Sequence, residues 1–89
     1  MFTLNQIIEA FDAMEVEMAT GCSWHTGSLP DDFWNEYNAL SKEKREMFVD
    51  CLRLAVENLG NMGALESEED LEWFHRELVS YFLSFDIQI

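Results

Sequence analysis

Four residues in this chain have side chains suited to metal ligation or nucleophilic chemistry: Cys22, His25, Cys51 and His75. Cys22-x-x-His25 has the spacing of a local ligand pair, and a Cys2His2 site would need Cys51 and His75 to complete the tetrahedron. Zinc sites commonly draw their ligands from two close pairs, and here only one pair is close. Cys51 falls among apolar residues, where a buried free thiol is the ordinary outcome. His75 flanks an apolar stripe and reads as a boundary residue. A catalytic Cys22–His25 couple would need a thiolate, a base within hydrogen-bond reach and a third orienting group. The acidic surroundings disfavour that thiolate. The chain also lacks a nucleophile elbow and a glycine-rich phosphate loop of recognisable spacing. No catalytic set, metal site or cofactor is therefore expected, and the chain reads as a binding protein.

The carboxylates carry the stronger signal. Eighteen Asp and Glu stand against five Lys and Arg, a formal net charge of −13. Residues 1–41 hold seven carboxylates and no basic residue, and residues 54–89 hold eight against Arg76 alone. Only residues 42–53 reverse the balance, with Lys42, Lys44, Arg45 and Arg53 against three acids. Such a field repels phosphate backbones and anionic lipid and attracts basic protein surfaces. Direct binding to nucleic acid or membrane is thus disfavoured.

Helix capping accounts for part of this charge. Asp31, Asp32, Glu68, Glu69 and Asp70 fall in expected first turns, where each opposes the helix dipole by ~0.3–1 kcal/mol. Glu9, Asp12, Glu15, Glu17, Glu36, Glu57, Glu72 and Glu77 have no such local reason. Glu9, Asp12 and Glu15 form a row rising ~4.5 Å per step, and such rows can imitate the anionic backbone of a nucleic acid. Trp73 lies opposite an apolar stripe, with Glu69, Glu72 and Glu77 near it. Leu83 also falls away from that stripe, Trp24 sits in a glycine-bracketed loop, and Trp34 lies at the edge of its helical face. Tryptophan is enriched at interface centres. The candidate partner-binding residues are accordingly Glu9, Asp12, Glu15, Glu69, Glu72, Trp73 and Glu77.

The elements that position these residues are helices. Eighty-nine residues fit a single domain, and 48% hydrophobic with 13% aromatic content demands a packed core despite the charge. Thr3-Leu4-Asn5-Gln6 has the form of a capping box, and Leu4, Ile7, Ile8, Phe11, Met14 and Met18 follow at helical spacing. Gly21 is a natural stop, giving a first helix over about 4–20. Pro30 suits the first position of a short helix over 30–40, with Phe33, Tyr37 and Leu40 on one face. Ser41 caps a third helix over 42–59, whose apolar arc (Phe48, Cys51, Leu52, Ala55 and Leu59, widened by Met47, Val49, Leu54 and Val56) suits a central or subunit-shared position. Ser67 caps a fourth over 68–85, with Leu71, Phe74, Leu78, Phe82 and Phe85 in line. Residues 86–89 show no pattern. The expected fold is all-α, a compact bundle of about four helices in one domain spanning 1–89.

The opening residues show no secretory signal, no run reaches the ~18 apolar residues of a membrane span, and a cytoplasmic chain with reduced thiols is expected. The leading functional expectation is a small acidic protein that inhibits or modulates a basic, nucleic-acid-handling protein as a nucleic-acid mimic. By analogy of size and charge, it would be encoded by a phage or another mobile element. Two alternatives stand beside it. One is a helical adaptor or antitoxin-like subunit that binds through an apolar face. The other is a small metal-binding or catalytic domain built on Cys22, His25, Cys51 and His75. A homodimer through the third helix or the Trp73 side is also expected.

Overall fold

The chain enters its first helix through a reciprocal cap. The Thr3 hydroxyl accepts the Gln6 amide N–H at 3.2 Å, and the Gln6 side-chain oxygen accepts the Thr3 N–H at 2.8 Å. The helix ends at Gly21, whose φ of 79° lies in the left-handed region and whose N–H donates to the Glu17 carbonyl at 2.7 Å. The computed structural model describes residues 1–24, 29–60 and 67–89. This helix is α1 (Leu4–Thr20), and α2 (Asp31–Ala39), α3 (Lys42–Leu59) and α4 (Glu68–Ser84) follow. Among the described residues there is no strand, as the all-α reading anticipates. Ser41 and Ser67 cap α3 and α4 through their hydroxyls, at 3.2 Å to Lys44 N–H and 3.1 Å to Asp70 N–H. Pro30, Leu40 and Phe85 prove to be flanking caps, so α2 and α4 are slightly shorter than their apolar spacing suggests.

The helix α3 is the central element. It packs against both α1 and α4, and its Phe48, Cys51, Leu52 and Ala55 are fully enclosed. Phe11 of α1 meets Phe74 of α4 edge to face at 5.0 Å between ring centroids. A second aromatic group joins α2 to α3. Phe33 and Tyr37 of α2 lie 5.9 and 5.6 Å from Phe48, and Phe48 in turn lies 5.2 Å from Phe82. Offset and edge-on pairs of this kind add ~0.5–1.5 kcal/mol each beyond the area they bury.

Two expectations are corrected here. Trp24, read as a loop residue among the candidate interface tryptophans, is 2% exposed and packs against Trp34, Tyr37 and Phe33 at 5.6, 5.5 and 6.2 Å. Met18 and Leu71, read as members of the apolar stripes, are 44% and 39% exposed. Met18 lies one turn beyond Met14 and Leu71 almost one turn before Phe74, so the stripes bury only their central turns.

The last residues are also ordered by packing. Ile87 N–H donates to the Phe82 carbonyl at 3.0 Å and Asp86 N–H to the Leu83 carbonyl at 3.0 Å, with Asp86 left-handed at φ 58°. This is a Schellman end to α4, with aspartate where glycine is usual. It places Ile87 in the core beside Phe2, and Phe2 N–H donates to the Gln88 carbonyl at 3.3 Å. The two ends of the chain are thereby joined.

Candidate protein-binding face

The acidic residues of α1 divide by helical phase. A three-residue step advances 300°, so Glu9, Asp12 and Glu15 rotate through 120° along the row. Glu9 and Asp12 are exposed and in no ion pair among the described residues, whereas Glu15 has turned to a half-buried flank. The expected row of three therefore presents two carboxylates to solvent on one side, with Val16, 50% exposed, one turn beyond Asp12.

Two carboxylates that showed no local purpose in sequence have structural ones. Glu17 accepts the Trp24 backbone N–H at 3.4 Å and pairs with the Arg53 guanidinium at 3.5 Å, tying the end of α1 to α3. Glu36 pairs with the Met1 amine at 2.7 Å. Lys44 reaches both the carbonyl and the carboxylate of Asp86, each at 3.1 Å. These exposed pairs are worth ~0.2–1 kcal/mol apiece, and they fix chain ends more than they stabilise the fold.

On α4 the expected set is better grouped. Phe74, Leu78 and Phe82 face the core, and Glu69, Glu72 and Trp73 lie on the opposite side, all exposed. Trp73 is 43% exposed, while Trp24 is enclosed and Trp34 half-buried. Neither Glu69 nor Glu72 makes an ion pair among the described residues. Glu77 is half-buried at the edge of this face. Sequence phase also places exposed Arg76, Ser80 and Leu83 on it, so the face carries one cation and an apolar residue beside its carboxylates.

Of the remaining candidates, the described ones are not gathered into a centre. Cys51 is fully enclosed, and burial pushes its thiol up from 9.0 to about 12. Cys22 is exposed, and His75 is half-buried against Phe74. His25 lies outside the described residues. Among the described residues, no three or more His, Cys, Asp or Glu side chains are placed to hold a metal ion. Nor is any helix among them long and apolar enough to cross a membrane.

Grooves among the described residues include two of note. One of about 320 Å³ runs beside α3, floored by Tyr37 and Val49 and edged by Lys42, Arg45 and Arg53 with Glu46 and Asp50. Burial of the Tyr37 hydroxyl raises its pKa, and the charge of Arg45 partly offsets this. The other, about 200 Å³, lies between the joined chain ends, against Phe2, Leu40 and Ile87. With this geometry in view, neither protein-family profiles nor curated proteins nor solved structures offer a match to the chain.

Proposed function

We propose that this protein is an acidic binding module that docks on a basic surface of a nucleic-acid-handling protein and blocks or modulates it by standing in for the nucleic acid. The observation that carries the reading is the outward face of α4. An exposed tryptophan lies there beside Glu69 and Glu72, which have no counter-charge among the described residues, in a chain of net charge −13. A tryptophan at the centre of an interface supplies apolar area at little entropic cost, and unpaired carboxylates supply attraction and orientation. Glu9 and Asp12 on α1 extend the negative field. Arg76 opposes it locally, and its removal should favour the same partner.

The rigidity of the scaffold supports this use. Trp73 and both carboxylates stand on a helix whose opposite face is locked in the core by Phe74, Leu78 and Phe82. Little backbone ordering is then left for docking, which lowers the cost of association, and the exposed side chains are what remains to be fixed.

Affinity capture from the source cell is the test, with wild-type protein and Trp73→Ala compared at low and moderate salt. The reading expects a basic nucleic-acid-binding protein, held at low salt and released by either change. Retention that ignores salt but depends on Trp73 and Leu83 would favour the apolar-face adaptor instead.

A further inference from the structure

The outward ridge of α3 carries a charge order that none of the preceding roles uses. Lys42, Glu46, Arg53 and Glu57 are all exposed and lie on one side of the helix, opposite Phe48, Cys51, Leu52 and Ala55. Lys42, Glu46 and Glu57 make no ion pair among the described residues. Arg53 reaches Glu17 through a single nitrogen at 3.5 Å, and half of its side chain stays exposed. The ridge borders the 320 Å³ groove and spans ~22 Å from Lys42 to Glu57 at 1.5 Å per residue.

Along this ridge the signs alternate, positive at 42, negative at 46, positive at 53 and negative at 57. The order is self-complementary when reversed. A second copy laid antiparallel, about a two-fold axis between positions 49 and 50, sets Lys42 against the other copy's Glu57. It also sets Glu46 against the other copy's Arg53. Both pairings occur twice, and Val49 lies at the axis beside the stems of the long charged side chains. We propose that two copies of this chain associate through antiparallel α3 ridges, held by these four reciprocal pairs.

Long-range electrostatics favours the same approach. Two copies of charge −13 repel each other over most of their surfaces, and residues 42–57, which the ridge spans, are balanced at four basic against four acidic, so repulsion is least there. The molecule measures 36 × 27 × 21 Å. At physiological salt the Debye length is ~8 Å, so most of the remaining charge is screened from a copy docked on α3. A ridge contact is small, and the dimer is a weak, concentration-dependent one with a C2, isologous interface. Asp50 falls beside the axis, opposite Val49 of the other copy, where it also approaches that copy's Asp50 and Glu46 and adds like-charge repulsion.

Charge exchange tests this independently of any other partner. Sedimentation velocity at physiological salt, over a wide concentration range, should show wild-type monomer and dimer in exchange. E46R and R53E should each weaken the dimer by roughly tenfold or more, since each converts two attractive contacts into repulsive ones. An equimolar mixture of E46R and R53E should re-form it, as should the E46R/R53E double variant, and D50N should tighten it. Circular dichroism is the control that the substitutions leave the helices intact, above all for R53E, which also breaks the Arg53–Glu17 pair. A wild-type chain that stays monomeric throughout overturns the proposal. So does a dimer indifferent to both reversals, a mixture that fails to recover, or a dimer abolished by Trp73→Ala instead.

Discussion

Replacing Trp24 with alanine should be among the most damaging single changes to this fold, although the residue follows directly on a loop. Its indole is 2% exposed and lies 5.5–6.3 Å from the rings of Tyr37, Trp34, Phe33 and Phe48. Truncating a buried aromatic to alanine costs ~3–5 kcal/mol, because the cavity adds to the lost transfer energy. At ~0.05–0.15 kcal/mol per residue, a chain of this length has about 4–13 kcal/mol in total. Trp24→Ala therefore removes a large share of the stability and should lower the melting temperature by roughly 15–30 °C. Trp73→Ala, at a site 43% exposed, should cost clearly less, about 1–2 kcal/mol. The assay is paired urea and thermal unfolding followed by far-UV circular dichroism, which does not depend on the deleted fluorophore. A Trp24→Ala loss below about 1 kcal/mol, or one no greater than that of Trp73→Ala, would refute the division between a core tryptophan and a displayed one.

Further expectations follow from the caps, the thiols and the chain ends. Thr3→Ala breaks the α1 capping box and should cost ~1 kcal/mol in urea unfolding. Asp86→Gly relieves a left-handed non-glycine residue but loses an exposed ion pair, and a small net gain of up to ~1 kcal/mol is expected in the same assay. A thiol reagent should label Cys22 rapidly in the native protein and Cys51 only on unfolding. The Cys51 thiol stays protonated in the fold up to about pH 12, whereas the unfolded chain releases that proton near 9.0. Its contribution to stability is complete below pH 9 and is lost as pH climbs toward 12, with Tyr37 acting in the same direction. Alkaline denaturation of Cys51→Ala should accordingly show a shallower pH slope than wild type.

Local signals made most of the fold legible. Thr3 with Gln6, Ser41, Ser67 and Gly21 each act within one turn, and each marks a helix end as its side chain or backbone freedom requires. The buried positions of α3 follow directly from 3.6-residue spacing. Contacts made across the fold were not legible. Trp24 shows no periodicity, and its partners are up to 24 positions away in Phe48. Glu17 and Glu36 read as unpaired in sequence because their counter-charges lie 36 and 35 positions off, far outside a four-residue spacing. Asp86 occupies a cap that sequence signals assign to glycine, so the ordered chain end went unread. In the candidate site, helical phase alone located Trp73, Glu69 and Glu72 on an exposed face, because it is opposite a strongly apolar one. The same reasoning overextended the α1 row at Glu15, where the helix had already turned toward its neighbours.

The proposed function depends most on attraction between the displayed carboxylates and a basic protein surface. The most direct measurement is the affinity of the captured partner for purified protein as ionic strength is raised, with Glu69→Gln/Glu72→Gln run alongside. A steep loss of affinity with salt, flattened and weakened in the double variant, is the expected result. Affinity that holds constant across the salt series, with wild type and variant indistinguishable, would contradict it.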